Sequence, residues 1–189
     1  MRHPMGSGRV SRPLFVSVAV AVGVAIALLL QALVVQVARV PSGSMQPTLH
    51  PGDRVLIDRL SGLWRPLRRG DVVVFDPSDA WGTPPQLVVK RILGLPGDRV
   101  RCCDASGHLV RNGRTLLEAY AVGTSRARRF DVVVPPDRLW LMGDDRARSV
   151  DSSAHLDAPG GGSVPVNDVS GRVVAVVWPL NRAGILGTP

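Results

Sequence analysis

Lysine is almost absent from this chain: of 23 basic residues, 22 are arginines and one, Lys90, is a lysine. Arginine is effectively always protonated, so these charges hold anions or face water but cannot act as a base. Cysteine is equally scarce. Cys102 and Cys103 are the only two, and they are neighbours, which excludes a spaced metal site and a framework of disulfide-closed loops. They are free thiols or a vicinal disulfide, with a structural role or none. His3, His50, His108 and His155 lie scattered, without an HExxH pair or a nucleophile elbow. Neither a metal centre nor a cofactor is expected. One tyrosine and three phenylalanines leave no aromatic-plus-basic stripe for nucleic acid. No acidic residue precedes Asp53, no internal repeat is present, and no useful amphipathic helical period occurs beyond the N-terminal region.

A long apolar run fills that region. Arg2, Arg9 and Arg12 precede an uncharged stretch whose apolar body covers 14–37. As a helix it would be about 36 Å long, enough to cross a hydrocarbon core of about 30 Å. A cleavable secretory signal shares the basic start but has an apolar region of only about 7–15 residues, so the length favours a retained anchor. The expected organisation is a basic cytoplasmic segment 1–13, a single transmembrane helix 14–38 and an extracytoplasmic domain 39–189 in the cell membrane, oriented by the positive flank. From residue 39 onward, 20 basic and 15 acidic residues leave a net +5. That balance suits an anionic bilayer surface or simply a solvated face.

Short β-type runs dominate the remainder, at 54–57, 71–75, 87–93, 99–102, 131–134, 138–142 and 172–178. Val, Ile and Leu fill them, and Pro-Gly-Asp, Gly-Asp or Asn-Gly breaks separate them. The fold class is mainly β, a coiled sheet or partial barrel behind one N-terminal helix. Segments 81–86 and 154–164 read as loops, the latter flexible because of Pro159 and three consecutive glycines. Residues 180–189 read as a tail.

Three places carry candidate chemistry. Lys90 lies in the apolar run Leu87-Val88-Val89-Lys90-Arg91-Ile92-Leu93; a desolvated lysine can lose its proton and act as a base. Just beyond the apolar run, Val40-Pro41-Ser42-Gly43-Ser44-Met45-Gln46-Pro47 sets a serine-rich turn between two prolines. A serine hydroxyl needs an adjacent base, and a neutral amine can serve, giving a Ser-Lys pair in place of a histidine triad. The segment 142–153 packs acids, arginines and hydroxyls into a turn; alone it is an ordinary polar loop.

Taken in order, the blocks 41–53 (PSGSMQPTLHPGD), 70–77 (GDVVVFDP), 90–100 (KRILGLPGDRV), 143–153 (GDDRARSVDSS) and 169–179 (VSGRVVAVVWP) resemble the bacterial type I signal peptidases of the single-span kind. The resemblance implies Ser44 as nucleophile and Lys90 as general base. It implies Ser42 as an oxyanion donor beside the Ser44 amide, and Ser149 as the hydroxyl that orients the amine. Asp144, Arg146 and Asp151 would form the supporting polar shell, and Val40, Val89 and Met45 would line pockets for small substrate side chains. Two positions depart from the pattern: Asp145 stands where the family usually has Asn, and Ser153 where it has Arg. Asp151 would thereby lose its ion-pair partner, with Arg146 or Arg148 as substitutes.

The activity implied is removal of signal peptides from secretory preproteins bearing Ala-x-Ala-like sites, through an acyl-enzyme, by a monomer held in the lipid bilayer. Two other readings remain open: a protease dedicated to one precursor, and an inactive anchored β-domain that binds exported chains.

Overall fold

Valine-rich segments punctuated by Gly and Asp pair here as antiparallel strands, because β-branched side chains suit a pleated, half-buried surface. The computed structural model describes residues 12–60, 65–123 and 129–187; the basic segment 1–11 lies outside them. The chain divides into two units, Met1–Val35 and Gln36–Pro189. The first contains helix α1 (Arg12–Val34). Among the described residues, no helix is long and apolar enough to cross a membrane; the described side chains of α1 are those of 15–27 and 34. The helix stops earlier than the apolar run. Val35-Gln36-Val37-Ala38-Arg39, with β-branched valines at alternate positions, forms strand β1 (Val35–Arg39).

The main sheet adds β2 (Arg54–Asp58), β3 (Val72–Phe75) and β4 (Val88–Gly94). The second, smaller sheet holds β5 (Arg99–Cys102), β6 (Leu109–Arg111), β7 (Arg114–Thr115) and β8 (Phe130–Val133). The chain then returns to the main sheet through β9 (Arg138–Met142), β10 (Val164–Pro165), β11 (Val169–Trp178) and β12 (Gly184–Ile185). The main sheet runs β1-β2-β11-β3-β4-β9-β10, with β12 on β11, and the smaller one runs β7-β6-β5-β8. Register shifts interrupt β11 at three places, between Val169 and Gly171, Val173 and Ala175, and Val176 and Trp178. Bulges of this kind increase local twist and curl a sheet into a partial barrel. In the smaller sheet, Asn112 (φ 52°) and Gly113 (φ 79°) close the β6–β7 hairpin, the left-handed pair a tight hairpin turn requires.

One apolar cluster joins Val40, Met45 and Leu49 to Val55, Ile57, Val72, Val74, Val173 and Val176. It is this cluster that seats the serine-rich turn on the sheet. A second cluster packs Phe75, Ile92, Leu139 and Leu141 with Trp81. Trp81 ends a short helix, α2 (Ser78–Trp81), at the start of the expected loop 81–86.

Two segments are more built than their composition suggests. In 154–164, the Trp81 indole donates to Gly162 O at 2.8 Å, and Trp81 stacks on His155 at 4.4 Å. Arg138 Nη1 reaches Ser163 O at 2.7 Å. The three glycines adopt φ of 77°, 63° and 86°, so they form a tight turn that side chains resist rather than a slack loop. The expected tail 180–189 is likewise structured where described. Gly184 and Ile185 pair with β11, and Arg182 Nη2 binds Asp53 Oδ2 at 3.1 Å. Cys102 and Cys103 form a disulfide at the end of β5.

Candidate active site

The Ser44 turn is pinned from beneath. Met45 and Leu49, one helical turn apart, are buried, each worth roughly 1.5–3 kcal/mol of transfer free energy. At its base, Val40 N donates to Asp53 O at 2.8 Å and Gly52 N to Val40 O at 2.9 Å. Asp53 also accepts from His50 N at 2.8 Å. With the apolar residues turned inward, Ser42 is exposed and Ser44 half-buried. Ser42 Oγ lies 3.4 Å from Ser44 Oγ.

Strand β4 brings the lysine. Its pairing with β3 sets Lys90 opposite Val73, and Lys90 Nζ lies 2.9 Å from Ser44 Oγ. Lys90 is only 4% exposed. That burial pushes its pKa from 10.5 down to about 8, against the opposing pull of the Asp151 and Asp144 charges. An amine with this pKa and a hydroxyl at this distance can exchange a proton.

The 143–153 loop closes the site from the other side. Asp145 N donates to Ser44 O at 3.0 Å. Gly143 sits where a side chain would not fit, since a Cβ there would fall 2.5 Å from Ser44 O and 2.6 Å from Ser149 Cβ. Ser149 Oγ is buried and has no hydrogen-bond partner among the described residues. Asp145 accepts from Arg148 N at 3.2 Å.

One of the supporting acids has partners different from those expected. Asp151, 1% exposed, is paired with neither Arg146 nor Arg148. It accepts from Gly143 N at 3.1 Å and from Ser153 at both N (3.1 Å) and Oγ (2.6 Å). Ser153 thus supplies two of the three neutral donors to the carboxylate. Asp144, fully buried, is gripped at two points by Arg91, Nε to Oδ1 at 2.8 Å and Nη2 to Oδ2 at 2.6 Å. Thr48 Oγ1 also donates to Asp144. Arg146 instead donates from Nε to Gly143 O at 2.9 Å and from Nη2 to Glu118 at 2.8 Å.

Of the expected pocket residues, Val40 and Met45 are buried in the first apolar cluster, and half-buried Val89 packs against it. Among the described residues, no group of three or more His, Cys, Asp or Glu side chains could hold a metal ion.

Four residues with evident roles escaped the sequence reading: Arg91, Thr48, Glu118 and Tyr120. Signals were present for three. A charge beside Lys90 in an apolar strand demands a buried partner, while Glu118 and Tyr120 are the only glutamate and the only tyrosine of the chain.

Comparison with known proteins identifies the family. A family model described as "Signal peptidase, peptidase S26" matches residues 13–178. A signal peptidase I of Leptolyngbya laminosa is 35% identical, the match covering 90% of this chain and 82% of that one. A probable signal peptidase I-2 of Synechocystis is 36% identical, covering 86% and 72%. A signal peptidase I of Mycobacterium tuberculosis is 33% identical, covering 78% and 66%. With a buried lysine on a serine hydroxyl and a family match along most of its length, the chain belongs to the signal peptidase family, peptidase S26, as a type I signal peptidase.

Proposed function

We propose that this serine peptidase removes signal peptides from secretory preproteins with Ser44 as nucleophile and Lys90 as general base. One observation carries the reading: Lys90 Nζ stands 2.9 Å from Ser44 Oγ in a site that shields the amine from water. With a pKa of about 8, half the molecules hold a neutral amine at pH 8, against about one in 300 for an unperturbed lysine. The neutral amine takes the Ser44 proton as Oγ attacks the scissile carbonyl. The Ser44 amide and Ser42 Oγ donate to the developing oxyanion, each such donor being worth about 3–4 kcal/mol. The Lys90 ammonium protonates the departing amine. The neutral amine so restored takes a proton from the water that attacks the acyl-enzyme, and returns it to Ser44 Oγ as the acyl bond breaks. The buried, unpartnered Ser149 hydroxyl is available to orient the amine without adding charge.

The substrate segment binds extended, with small residues of an Ala-x-Ala-like site directed at Val40, Met45 and Val89. The uncharged apolar run 14–37 behind Arg2, Arg9 and Arg12 supports a single membrane anchor with a cytoplasmic N-terminus and an extracytoplasmic catalytic unit. Tethering a monomer to the bilayer concentrates it with membrane-bound precursors.

Cleavage of a preprotein by the full chain in detergent or lipid, beside Ser44→Ala and Lys90→Arg, tests the reading. Arg keeps the charge but cannot become a neutral base, so both variants should lose about 10³-fold or more. Retained activity in Lys90→Arg would reject the mechanism.

A further inference from the structure

The segment 116–123, which leaves the smaller sheet after β7, lies against the loop that closes the active site. Its backbone exchanges hydrogen bonds with that loop in both directions: Val122 N donates to Asp144 O at 2.8 Å, and Arg146 N donates to Val122 O at 2.9 Å. A Cβ added at Gly123 would meet Ala147 Cβ at 3.1 Å, so the two backbones run close together here. Two side chains extend the contact. The Tyr120 ring covers the Arg91 guanidinium, with Cζ 4.0 Å from the ring centroid, while its hydroxyl donates to Glu118 Oε1 at 2.6 Å. The same Oε1 accepts from Arg146 Nη2 at 2.8 Å. A continuous path therefore runs from Arg91 through Tyr120 and Glu118 to Arg146, whose Nε holds Gly143 O.

Both ends of the path adjoin the reactive pair. Arg91 follows Lys90 on β4. Gly143 packs against Ser44 O and Ser149, and Asp145, between Asp144 and Arg146, donates to Ser44 O. The Arg146–Glu118 pair is nearly buried, its side chains 6% and 9% exposed, so it is held in low dielectric and weakly screened. A cation over an aromatic face gains further when water is excluded from it.

We propose that Glu118 and Tyr120 are positioning residues for the peptidase reaction: a strap from the smaller sheet that holds β4 and the 143–149 loop in register around Ser44 and Lys90. This gives the smaller sheet a part in catalysis although none of its strands carries a reacting group. The proposal rests on the Ser44–Lys90 reading. In the described structure neither residue hydrogen-bonds to Ser42, Ser44, Lys90 or Ser149, so its effect travels through Arg91 and Arg146. Loosening the strap misplaces the reacting groups, and misplacement by about 1 Å can cost up to 10²-fold in rate. It also admits water to the amine, whose burial is what depresses its pKa.

The full chain in detergent, with Tyr120→Leu, Tyr120→Phe and Glu118→Gln beside wild type, tests this through three readouts: preprotein kinetics against pH, amide hydrogen exchange over 143–149, and the melting transition. Tyr120→Leu and Glu118→Gln should lower kcat about tenfold or more with KM within about twofold. They should move the acid limb of kcat/KM upward from about 8 and speed exchange at the Asp145 and Arg146 amides. Tyr120→Phe, which keeps the ring over Arg91 but loses the hydroxyl's bond to Glu118, should fall between Tyr120→Leu and wild type in kcat. A folded Tyr120→Leu with wild-type kcat, acid limb and exchange overturns the proposal. So does a variant that only melts earlier, with the acid limb and exchange unchanged. Activity retained in Lys90→Arg would instead reject the base assignment, while the exchange data would still report on the strap.

Discussion

Lys90 and Arg91 are consecutive on β4, and their cationic groups meet opposite surroundings. The amine of Lys90 lies on a neutral hydroxyl, Ser44 Oγ, at 2.9 Å. The guanidinium of Arg91 is clamped on Asp144 and covered by Tyr120. Burial has different consequences for the two because their chemistry differs. The guanidinium stays charged and acquires a carboxylate and an aromatic face, while the ammonium, lacking a direct ion-pair partner, becomes easier to deprotonate. Adjacent side chains point to opposite faces of a strand, so one strand can supply both a base and the scaffold beside it.

The activity of the wild-type chain should depend on pH with an acid limb near 8. Lys90 must be neutral to take the Ser44 proton, and its pKa is lowered to about 8 by burial. A plot of kcat/KM against pH should therefore rise about tenfold per unit below this value and level off above it. An acid limb near 6 would implicate a histidine and contradict the assignment.

Stability should respond in the same window. Because the folded pKa lies below the unfolded one, the unfolded chain binds more protons between about 8 and 10.5. The stabilising effect of neutral Lys90 is full above 10.5 and is lost as pH falls through 8. At pH 7 the charged amine thus costs up to about 3 kcal/mol relative to a neutral one. Lys90→Met, similar in length and apolar, should abolish cleavage yet raise the melting temperature at pH 7, with the gain shrinking toward pH 10. A lower melting temperature at pH 7 would mean that the lysine charge stabilises the fold.

Asp144→Ala should be strongly destabilising, by about 3–5 kcal/mol, because it leaves Arg91 buried and unpaired. Denaturant titration measures this directly. Removing both partners, as in Asp144→Ala with Arg91→Met, should recover part of the loss, and full additivity of the two single changes would deny their coupling.

At Gly143, Ala should be poorly tolerated although the change is a single methyl. The added carbon would overlap Ser44 O and Ser149, and overpacking of this kind costs about 1–3 kcal/mol. Since the displaced atoms belong to the reactive turn, kcat should fall more than stability predicts. Wild-type kcat in Gly143→Ala would show that the turn has room to shift.

Much of the β architecture was legible in sequence because strand segments are local patterns. The Val-rich runs became β2, β3, β4, β5, β8, β9 and β11 to within a few residues at either end. The strands that went unread are short or lie where local signals are weak: β6, β7, β10 and β12, together with β1, which continues an apolar run. The order of segment 154–164 was hidden for another reason. Its three glycines read as slackness, and distant partners, the indole of Trp81 81 residues from Gly162 and the guanidinium of Arg138, show that they form a built turn. Asp151 was expected to need an arginine, yet two amide donors and the Ser153 hydroxyl satisfy it.

The amino-acid sequence alone determined the class of fold, the apolar N-terminal run and the identity of the one side chain that could be a neutral base, since these depend on composition and on patterns a few residues long. Tertiary structure decided whether that base has anything to act on. Ser44 and Lys90 are 46 residues apart, Arg91 and Asp144 53, and Arg146 and Glu118 28. Their meeting depends on strand register and on which groups lose water together, and it is this shared desolvation that lowers the amine's pKa while giving the neighbouring arginine its carboxylate.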